Sequence, residues 1–524
     1  MEEKCVEQRY PVGVQSFAEI RNGNYVYVDK TTYIYKMLRA GKYYFLSRPR
    51  RFGKSLLLST IEAYFQGRRD LFKGLALDSL ANDWESHEIL HWDLNSGDFS
   101  SEEALHKYLN HVLKRWEQKY NITDIAEQPG QRFGDVIRFA YERSGKKVVI
   151  LIDEYDKPML SAIENERLSD RFRDIMKSVF GNLKSQDQYI QFAMLTGVSR
   201  FSKVSIFSDL NNLRDISFEP MFSGICGVNN TELETFFRDG IACLADSTGE
   251  TYETTLTELK RRYDGYHFAK NLEDIYNPYS LVNVFSALNL SNYWIESGTP
   301  TYVTKLLKNY NEPLQEIDGY RIDTTRLATE GILSKELIPT LYQSGYLTIK
   351  DYDKSFDEYV LGYPNAEVTE GFIKFLQPYY LGAQINSSEF SIRRFVSDLR
   401  QGNPIGFMTR INSMLTGVPH LGGEDSHEHT FRNALYVIFM MLGFYTRAEE
   451  HTSDGRIDMT VETMDYVYIF EFKVDKTADE ALRQIHEKKY WKKFEASNRR
   501  IFLIGANFKS SEKSLNDFKI EQLS

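Results

Sequence analysis

Between residues 42 and 218 the chain alternates short apolar runs with longer amphipathic stretches, and this alternation limits the possible fold more than any other feature. The runs "KYYFLS", "EILHWDL", "KKVVILID" and "YIQFAMLTG" have the length and residue content of strands, and stretches such as "EEALHKYLNHVLKRWEQKY" read as helices. Strands that alternate with helices form βαβ units around a parallel sheet that is covered on both faces. The sequence therefore predicts an α/β domain here.

Two further regions follow this domain. Residues 221–410 read as mostly helical, and residues 411–524 return to an α/β pattern. In that last region we predict a helix "HTFRNALYVIFMMLGF", a hairpin "GRIDMTVETMDYVYIFEFKV", a basic helix "ADEALRQIHEKKYWKKF" and a strand "RRIFLIGANF". A chain of 524 residues is too long for one compact core. We therefore predict three domains, at residues 1–220, 221–410 and 411–524.

The charge and the apolar content exclude some classes of function. A net charge of −10 gives no general affinity for polyanions, so any nucleic-acid site must be a local basic patch. No apolar stretch has the length of a membrane span, and the opening "MEEKCVEQRYPVG" has no apolar run of the kind found in a signal peptide. The three cysteines are widely spaced, as in a reducing compartment. We therefore expect a cytoplasmic protein that does not enter a membrane.

A phosphate-binding signature follows the first predicted strand. The stretch "SRPRRFGKS" ends in Gly-Lys-Ser as a P-loop does, but Arg48 stands where the P-loop pattern places its first glycine. In that pattern Lys54 reaches the β- and γ-phosphates of ATP, and Ser55 offers its hydroxyl to Mg²⁺. Arg48 would add positive charge where phosphates bind. We predict an ATP-binding loop formed by Arg48, Pro49, Arg50, Arg51, Phe52, Gly53, Lys54 and Ser55.

The later motif "VVILIDEYDKP" supports this assignment because it has the form of a Walker B strand. Asp153 would hold Mg²⁺ through water, and Glu154 would orient the water that attacks the γ-phosphate. Thr196 lies on a later strand, "YIQFAMLTG". If that strand lies between the two Walker strands, Thr196 would be placed to sense the γ-phosphate. The plainer alternative is a solvated Lys54 after a loop glycine and a buried strand that happens to end in acidic residues.

The C-terminal hairpin carries acidic and basic residues at the spacing of a metal-dependent phosphodiesterase. Asp458 lies in one strand, and Glu471 and Lys473 lie in the next. If Met464-Asp465 is a two-residue turn, Asp458 faces Glu471, and the side-chain period of two puts these groups on one face. A loop that is one residue longer or shorter would move Asp458 and Glu471 to opposite faces.

Two carboxylates this close can hold Mg²⁺ or Mn²⁺, which prefer oxygen ligands. The metal would activate water for phosphodiester cleavage while Lys473 positions the nucleophile or neutralises charge. Glu428, on or just before the preceding helix, would add an acidic group. The alternative is a surface of salt bridges, which contribute little energy. The stretch 482–500 is rich in lysine and arginine, and we interpret it either as a DNA-contacting patch or as a solvated face.

The motifs together resemble those of bacterial AAA-ATPase-like proteins that carry a PD-(D/E)XK nuclease-type domain at the C-terminus. The resemblance runs from about residue 9 to the end through "YVDKT", "SRPRRFGKS", "LIDEYDKP", "LTGVSRFSK", "YDGYHF" and "YNPYSL". It implies that the arginine-rich loop is the usual form, and that Gln484 faces the nuclease site. We interpret "YDGYHF" and "YNPYSL" as packing and turn elements, and the residues leave open whether they shape the nucleotide pocket.

Our main hypothesis is a P-loop module that binds and hydrolyses ATP and that gates or positions a Mg²⁺-dependent nuclease-like module acting on DNA, in DNA processing or defence. The second hypothesis is a nucleotide-dependent binding or signalling module whose nuclease fold has no catalytic activity. The sequence leaves open the choice between DNA and RNA and the oligomeric state.

Overall fold

A computed structural model gives the fold for residues 8–200, 212–298, 301–308, 313–381, 392–415, 427–443, 447–453, 456–509 and 514–523. The chain forms two compact units, of which the first contains Met1–Leu307 and Gly319–Val368, and the second contains Lys308–Asp318 and Thr369–Ser524. Among the helices in these ranges, none combines the length and the hydropathy that crossing a membrane requires. The predicted boundaries at 220 and 410 stay predictions.

The first unit is built on a five-stranded parallel sheet, which confirms the α/β prediction. Its strands are β1 Tyr43–Ser47, β2 Ile89–Asp93, β3 Val148–Asp153, β4 Ile190–Gly197 and β5 Arg214–Asp215. Their spatial order is β2-β3-β4-β1-β5, and each neighbouring pair is parallel. Because parallel strands end at the same edge of a sheet, the residues that follow β1, β3 and β4 are brought together there.

Both faces of this sheet are covered, which is why the strands β1, β3 and β4 are nearly continuous buried runs. On one face, Val148, Ile150 and Ile152 of β3 join a core formed with the helices of residues 102–180. On the other face, the ring of Phe65 packs against Phe192 with centroids 5.4 Å apart. The helices of this part are α1 Phe17–Asn22, α2 Thr31–Ala40, α3 Lys54–Phe65, α4 Ala76–Leu80, α5 Glu102–Tyr120, α6 Pro129–Ser144, α7 Lys157–Ser161, α8 Glu166–Phe180 and α9 Asn182–Ser185.

The region after β5 is largely helical, as predicted, but it also contains strands that the sequence analysis missed. The helices are α10 Asn230–Phe236, α11 Arg238–Thr248, α12 Tyr252–Tyr263, α13 Pro278–Ala287, α14 Tyr293–Glu296, α15 Thr301–Lys308, α16 Thr324–Thr329 and α17 Leu337–Ser344. Strands β6 Val228–Asn229 and β7 Ile275–Tyr276 form an antiparallel pair. Strands β8 Tyr320–Asp323, β9 Thr348–Asp353 and β10 Glu358–Gly362 form an antiparallel sheet in the order β8-β10-β9.

The second unit contains a five-stranded mixed sheet. Its strands are β11 Arg447–Ser453, β12 Arg456–Glu462, β13 Tyr466–Val474, β14 Arg500–Lys509 and β15 Ser514–Leu523, and they follow one another in space in this order. Strands β13 and β14 are parallel, and the other neighbouring pairs are antiparallel. The helices from residue 366 onward are α18 Ala366–Tyr380, α19 Ile392–Arg400, α20 Pro404–Leu415, α21 His427–Gly443 and α22 Ala478–Lys488.

The hairpin register in this unit confirms the prediction made from a two-residue turn. Asp458 pairs with Glu471 across β12 and β13, and the N–H of Thr463 donates to the carbonyl of Tyr466 at 2.8 Å. The predicted continuous basic helix is wrong, because α22 ends at Lys488 and Lys489 adopts a left-handed φ of 53°. A 3₁₀ segment, Tyr490–Ser497, follows.

Candidate functional site

The loop of residues 48–55, called the GKS loop below, joins β1 to α3 and has an end suited to an anion. Helix α3 begins at Lys54, so the N–H groups of its first turn have no partner within the helix. Gly53 has a φ of 92°, which glycine adopts without strain. A Cβ at this position would meet no atom within 4 Å, so the space beside Gly53 is open to a ligand.

Lys54 is folded back into the GKS loop. Its Nζ donates hydrogen bonds to the carbonyls of Arg48 at 3.0 Å and Pro49 at 3.1 Å, and it lies 4.0 Å from Oε1 of Glu154. Only 5% of Lys54 is exposed, and a buried ammonium is unfavourable unless oxygen atoms surround it. The loop therefore holds one positive charge at its centre.

The carboxylate of Asp153 joins three segments that are distant in sequence. One oxygen accepts a hydrogen bond from the Ser55 hydroxyl at 2.6 Å, and the other accepts one from the Thr196 hydroxyl at 2.5 Å. Strand β4, which carries Thr196, lies between β1, which leads into the GKS loop, and β3, which ends at Asp153. This is the position between the two Walker strands that the sequence analysis gave to Thr196. The structure thus brings Ser55, Asp153 and Thr196 to one place, and Thr196 contacts the carboxylate.

Glu154 follows Asp153 in a strained backbone conformation. Its φ of 52° lies in the left-handed region, which costs a non-glycine residue about 1 kcal/mol or more. Its N–H donates to Asp153 at 3.0 Å, which helps to hold the turn. Burial raises the pKa of Glu154, the ammonium of Lys54 opposes that shift, and the net change is upward. Strain and a raised carboxyl pKa at the same residue are typical of functional positions.

Asp156 is a buried acidic residue that the sequence analysis did not single out. Its carboxylate accepts hydrogen bonds from the N–H of Val198 at 3.0 Å and from the N–H and hydroxyl of Ser199, each at 2.6 Å. The sequence signal that could have identified Asp156 is its position two residues after Glu154, within the motif "LIDEYDKP". Asp156 fixes the loop that follows β4 against the turn that follows β3, so it supports the site.

The arginines of the GKS loop have different surroundings. Arg48 is 1% exposed, and its guanidinium donates to the carbonyls of Ser47, Ser217 and Phe222 at 2.8–3.2 Å. The sequence analysis expected Arg48 to add positive charge where phosphates bind, but its guanidinium is instead engaged by backbone carbonyls of the protein. Arg50 and Arg51 are exposed. Of the predicted loop residues, Pro49 and Phe52 are buried.

A mainly apolar cavity of about 100 Å³ opens beside Gly53. It is lined by the segment before α2, by the first turns of α3 and by residues near β6, among them Val26, Val28, Phe52, Leu56, Ile225 and Val228. Lys30 also lines it, and its ammonium is held by both carboxylate oxygens of Glu232 at 2.7 and 2.6 Å. The cavity therefore offers apolar walls next to the open end of the GKS loop.

The second candidate site lies on β13 and α22. Lys473 donates hydrogen bonds to Oε1 of Glu471 and to Oε1 of Gln484, each at 2.5 Å, so these three predicted residues lie together. Glu471 is fully buried. The backbone register places Asp458 directly opposite Glu471. The side chains of Asp458 and Glu428 lie outside the described part of the structure.

The basic stretch beside this site is partly engaged by the protein itself. Arg499 donates to the carboxylate of Glu462 at 2.7 Å, and Arg500 lies over the ring of Tyr466 at 4.7 Å. Four lysines of the stretch are exposed: Lys488, Lys489, Lys492 and Lys493. The earlier alternatives, a DNA-contacting patch or a solvated face, both stay open for these lysines.

Comparison with known proteins places these features in a family. The family described as "Predicted AAA-ATPase" matches residues 11–207, and the family described as "PD-(D/E)XK nuclease superfamily" matches residues 426–518. An uncharacterized protein in the vnfD 5' region of Azotobacter chroococcum mcd 1 is 34% identical over 530 residues, which cover 98% of this chain and 99% of that protein. The chain therefore belongs to the AAA-ATPase-like proteins that carry a C-terminal PD-(D/E)XK nuclease superfamily domain.

Proposed function

We propose that the first unit binds and hydrolyses Mg²⁺-ATP and that the second unit is a Mg²⁺-dependent nuclease-like module acting on DNA. The observation that carries the proposal is the contact of Ser55 and Thr196 with the single carboxylate of Asp153, beside the Lys54 ammonium and Glu154. The match to an ATPase-like family supports the first activity, and the match to a nuclease superfamily supports the second.

In the ATPase reaction the GKS loop binds the phosphates. Lys54 exchanges its contacts with the loop carbonyls for contacts with phosphate oxygens, and the N–H groups at the start of α3 donate to the same anion. The oxygen atoms of Ser55 and Asp153 suit Mg²⁺, which neutralises phosphate charge when it is bound. Glu154 orients the attacking water and accepts its proton, and Thr196 keeps Asp153 in place.

In the nuclease reaction, Glu471 and Asp458 would hold a Mg²⁺ or Mn²⁺ ion through their carboxylate oxygens. Such an ion, when bound, polarises a water molecule and the scissile phosphate. Lys473 neutralises negative charge at the phosphate, and Gln484 holds the Lys473 ammonium in position through the 2.5 Å hydrogen bond. The fit is chemical: hard cations prefer carboxylate oxygens, and the register brings two carboxyl-bearing positions face to face.

Glu154→Gln is expected to lower ATP turnover by about 100-fold or more while ATP still binds, because the general base is lost. In the wild type, turnover should fall as the pH drops through the raised pKa of Glu154, whose ordinary value is 4.5, since only the carboxylate accepts a proton. The check is phosphate release measured from about pH 5 to about pH 8. An unchanged rate in Glu154→Gln contradicts the role. Glu166→Gln, at an exposed glutamate paired with Lys335, is the control.

We further propose that the apolar cavity beside Gly53 receives the base of the nucleotide. Val28→Trp, which fills the cavity, is expected to weaken ATP binding about 10-fold or more through loss of buried apolar contact, while inorganic triphosphate binds as before. Calorimetric titration with both ligands makes the check. Val12→Trp, at a residue that is 43% exposed and outside the cavity lining, should change neither affinity. An equal loss for both ligands would contradict a base pocket.

A second candidate function is a nucleotide-dependent binding module without nuclease activity. It is favoured by the complete burial of Glu471 and its ion pair with Lys473, an arrangement that also occurs in purely structural ion pairs. In that case ATP changes the affinity for DNA or for a partner protein, and Glu471→Gln affects no reaction.

A further inference from the structure

Two residues of the GKS loop, Arg48 and Phe52, pack against side chains that lie far along the chain, beyond the region that matches the ATPase family. Phe52 is enclosed by the rings of Tyr266 and Phe268, with centroids 4.8 and 5.3 Å away. The guanidinium of Arg48 lies over the same Phe268 ring at 4.2 Å. Tyr266 and Phe268 belong to "YDGYHF", so this motif packs against the GKS loop.

A hydrogen bond from an indole reaches the middle of the loop. The Nε1–H of Trp294 donates to the carbonyl of Arg50 at 3.2 Å. The backbone N–H of Trp294 donates to Oε1 of Glu367 at 2.7 Å, and the hydroxyl of Ser280 donates to the other oxygen of Glu367 at 2.7 Å. Ser280 and Glu367 are fully buried, so Glu367 fixes the tryptophan between α13 and the loop. Ser280 belongs to "YNPYSL".

Close packing leaves Trp294 and the loop little freedom. A Cβ added at Gly345 would lie 2.9 Å from Cβ of Pro49 and 3.1 Å from Cζ2 of Trp294, so the backbone at residue 345 presses against both. Arg51 has a left-handed φ of 71°, and its guanidinium lies over the Tyr279 ring at 4.6 Å. Arg51 thus combines a strained backbone conformation with a side-chain contact to α13.

These contacts determine the direction of one peptide group. A trans peptide points its carbonyl and the following N–H in opposite directions, and the described residues contain no cis peptide bond. Because Trp294 engages the carbonyl of Arg50, the N–H of Arg51 must point away from Trp294. If that carbonyl were released, the peptide between Arg50 and Arg51 could flip and reverse the N–H.

We propose that Trp294 and Glu367 are positioning residues of the nucleotide site, which act by keeping the peptide between Arg50 and Arg51 in the orientation that offers the Arg51 N–H to a phosphate. This inference rests on the proposed ATP binding and adds to it a requirement for residues outside the ATPase family match. The loop lacks the first glycine of the usual pattern, and its conformation is imposed by side chains of the following region.

The test measures the affinity of the full chain for inorganic triphosphate and for ATP, with Mg²⁺, by calorimetry. Trp294→Phe keeps an aromatic ring and removes the indole N–H. It is expected to lower the affinity for both ligands about fivefold to tenfold. Trp84→Phe is the matched control, because its Nε1–H donates to the carbonyl of Ala81 at 3.1 Å, away from the loop. Trp84→Phe should leave both affinities unchanged.

A double variant separates positioning from general damage to the fold. Glu367→Gln alone is expected to weaken triphosphate binding in the same direction, because an amide group replaces one acceptor oxygen. Combined with Trp294→Phe it should add nothing, since both act through the Arg50 carbonyl. Additive losses, or wild-type affinity in Trp294→Phe, would overturn the inference while ATP binding itself stands. If the wild type binds neither ligand, the proposed ATP site fails and the inference fails with it.

Discussion

Lys54→Ala is expected to weaken the binding of Mg²⁺-ATP about 100-fold. The variant removes the buried ammonium that lies at the centre of the GKS loop, within 3.1 Å of two loop carbonyls. Loss of a charge-assisted contact with a phosphate costs about 1.5–3 kcal/mol, and each 1.4 kcal/mol is about a tenfold change in affinity. Calorimetric titration of the purified full chain measures this directly, with thermal unfolding recorded for each variant without ligand.

Lys42→Ala provides the matched control for this experiment. Lys42 precedes β1, at the opposite end of the strand from the GKS loop, and its ammonium pairs with Asp187 at 2.7 Å. The Lys42→Ala variant should bind Mg²⁺-ATP with the affinity of the wild type. Equal affinities of Lys54→Ala and the wild type would mean that the GKS loop does not bind the phosphates.

Glu471→Gln is expected to reduce Mg²⁺-dependent DNA cleavage by about 1,000-fold or more, equivalent to about 4 kcal/mol of lost transition-state stabilisation. The substitution keeps the shape of the side chain but removes the charge that would hold the metal and that now accepts the Lys473 hydrogen bond at 2.5 Å. Cleavage of duplex, single-stranded and supercoiled DNA, each with Mg²⁺ or Mn²⁺, makes the measurement.

Glu487→Gln is the control for the nuclease experiment, since Glu487 is exposed on α22, the helix that also carries Gln484. It should leave cleavage unchanged. Cleavage that persists in Glu471→Gln would contradict the proposed active site. If the wild type cleaves nothing and ATP still alters its affinity for DNA, the non-catalytic binding function is favoured instead.

The parts of the fold that could be predicted are those in which burial on two faces or turn geometry leaves one solution. The run from Val148 to Ile152 predicts a central strand because an uninterrupted apolar run can be buried only from both sides. The pairing of Asp458 with Glu471 follows from the turn at Met464-Asp465, since a shift of one residue would put the two on opposite faces.

The surroundings of Arg48 could not be predicted from the sequence. Its guanidinium donates to the backbone carbonyls of residues 47, 217 and 222, and every residue has a carbonyl, so no residue type marks such a partner. Asp156 was missed for a similar reason, because two of its donors are backbone or hydroxyl groups of Ser199. Contacts of this kind depend on how distant loops meet.

The sheet of β8, β9 and β10 and the end of α22 illustrate a second limit. The β9 sequence "TIKDYD" is mostly polar and lacks the apolar run of a central strand, so a short-range pattern does not distinguish it from a loop. The stretch after Lys488 has good helix-forming residues, yet the chain turns at Lys489 and buries Phe494. Tertiary packing overrides local propensity there.

The most direct test of the central claim is a calorimetric titration of ATP into the full chain, with and without Mg²⁺, for the wild type and Asp153→Asn. Asp153 accepts the hydrogen bonds of Ser55 and Thr196, so it connects the GKS loop to β4 at the place proposed for Mg²⁺. We expect one ATP per chain, bound more tightly with Mg²⁺ than without it, and in Asp153→Asn we expect the Mg²⁺-dependent gain in affinity to disappear. No binding by the wild type, or the same Mg²⁺-dependent gain in Asp153→Asn, would contradict the proposed nucleotide site.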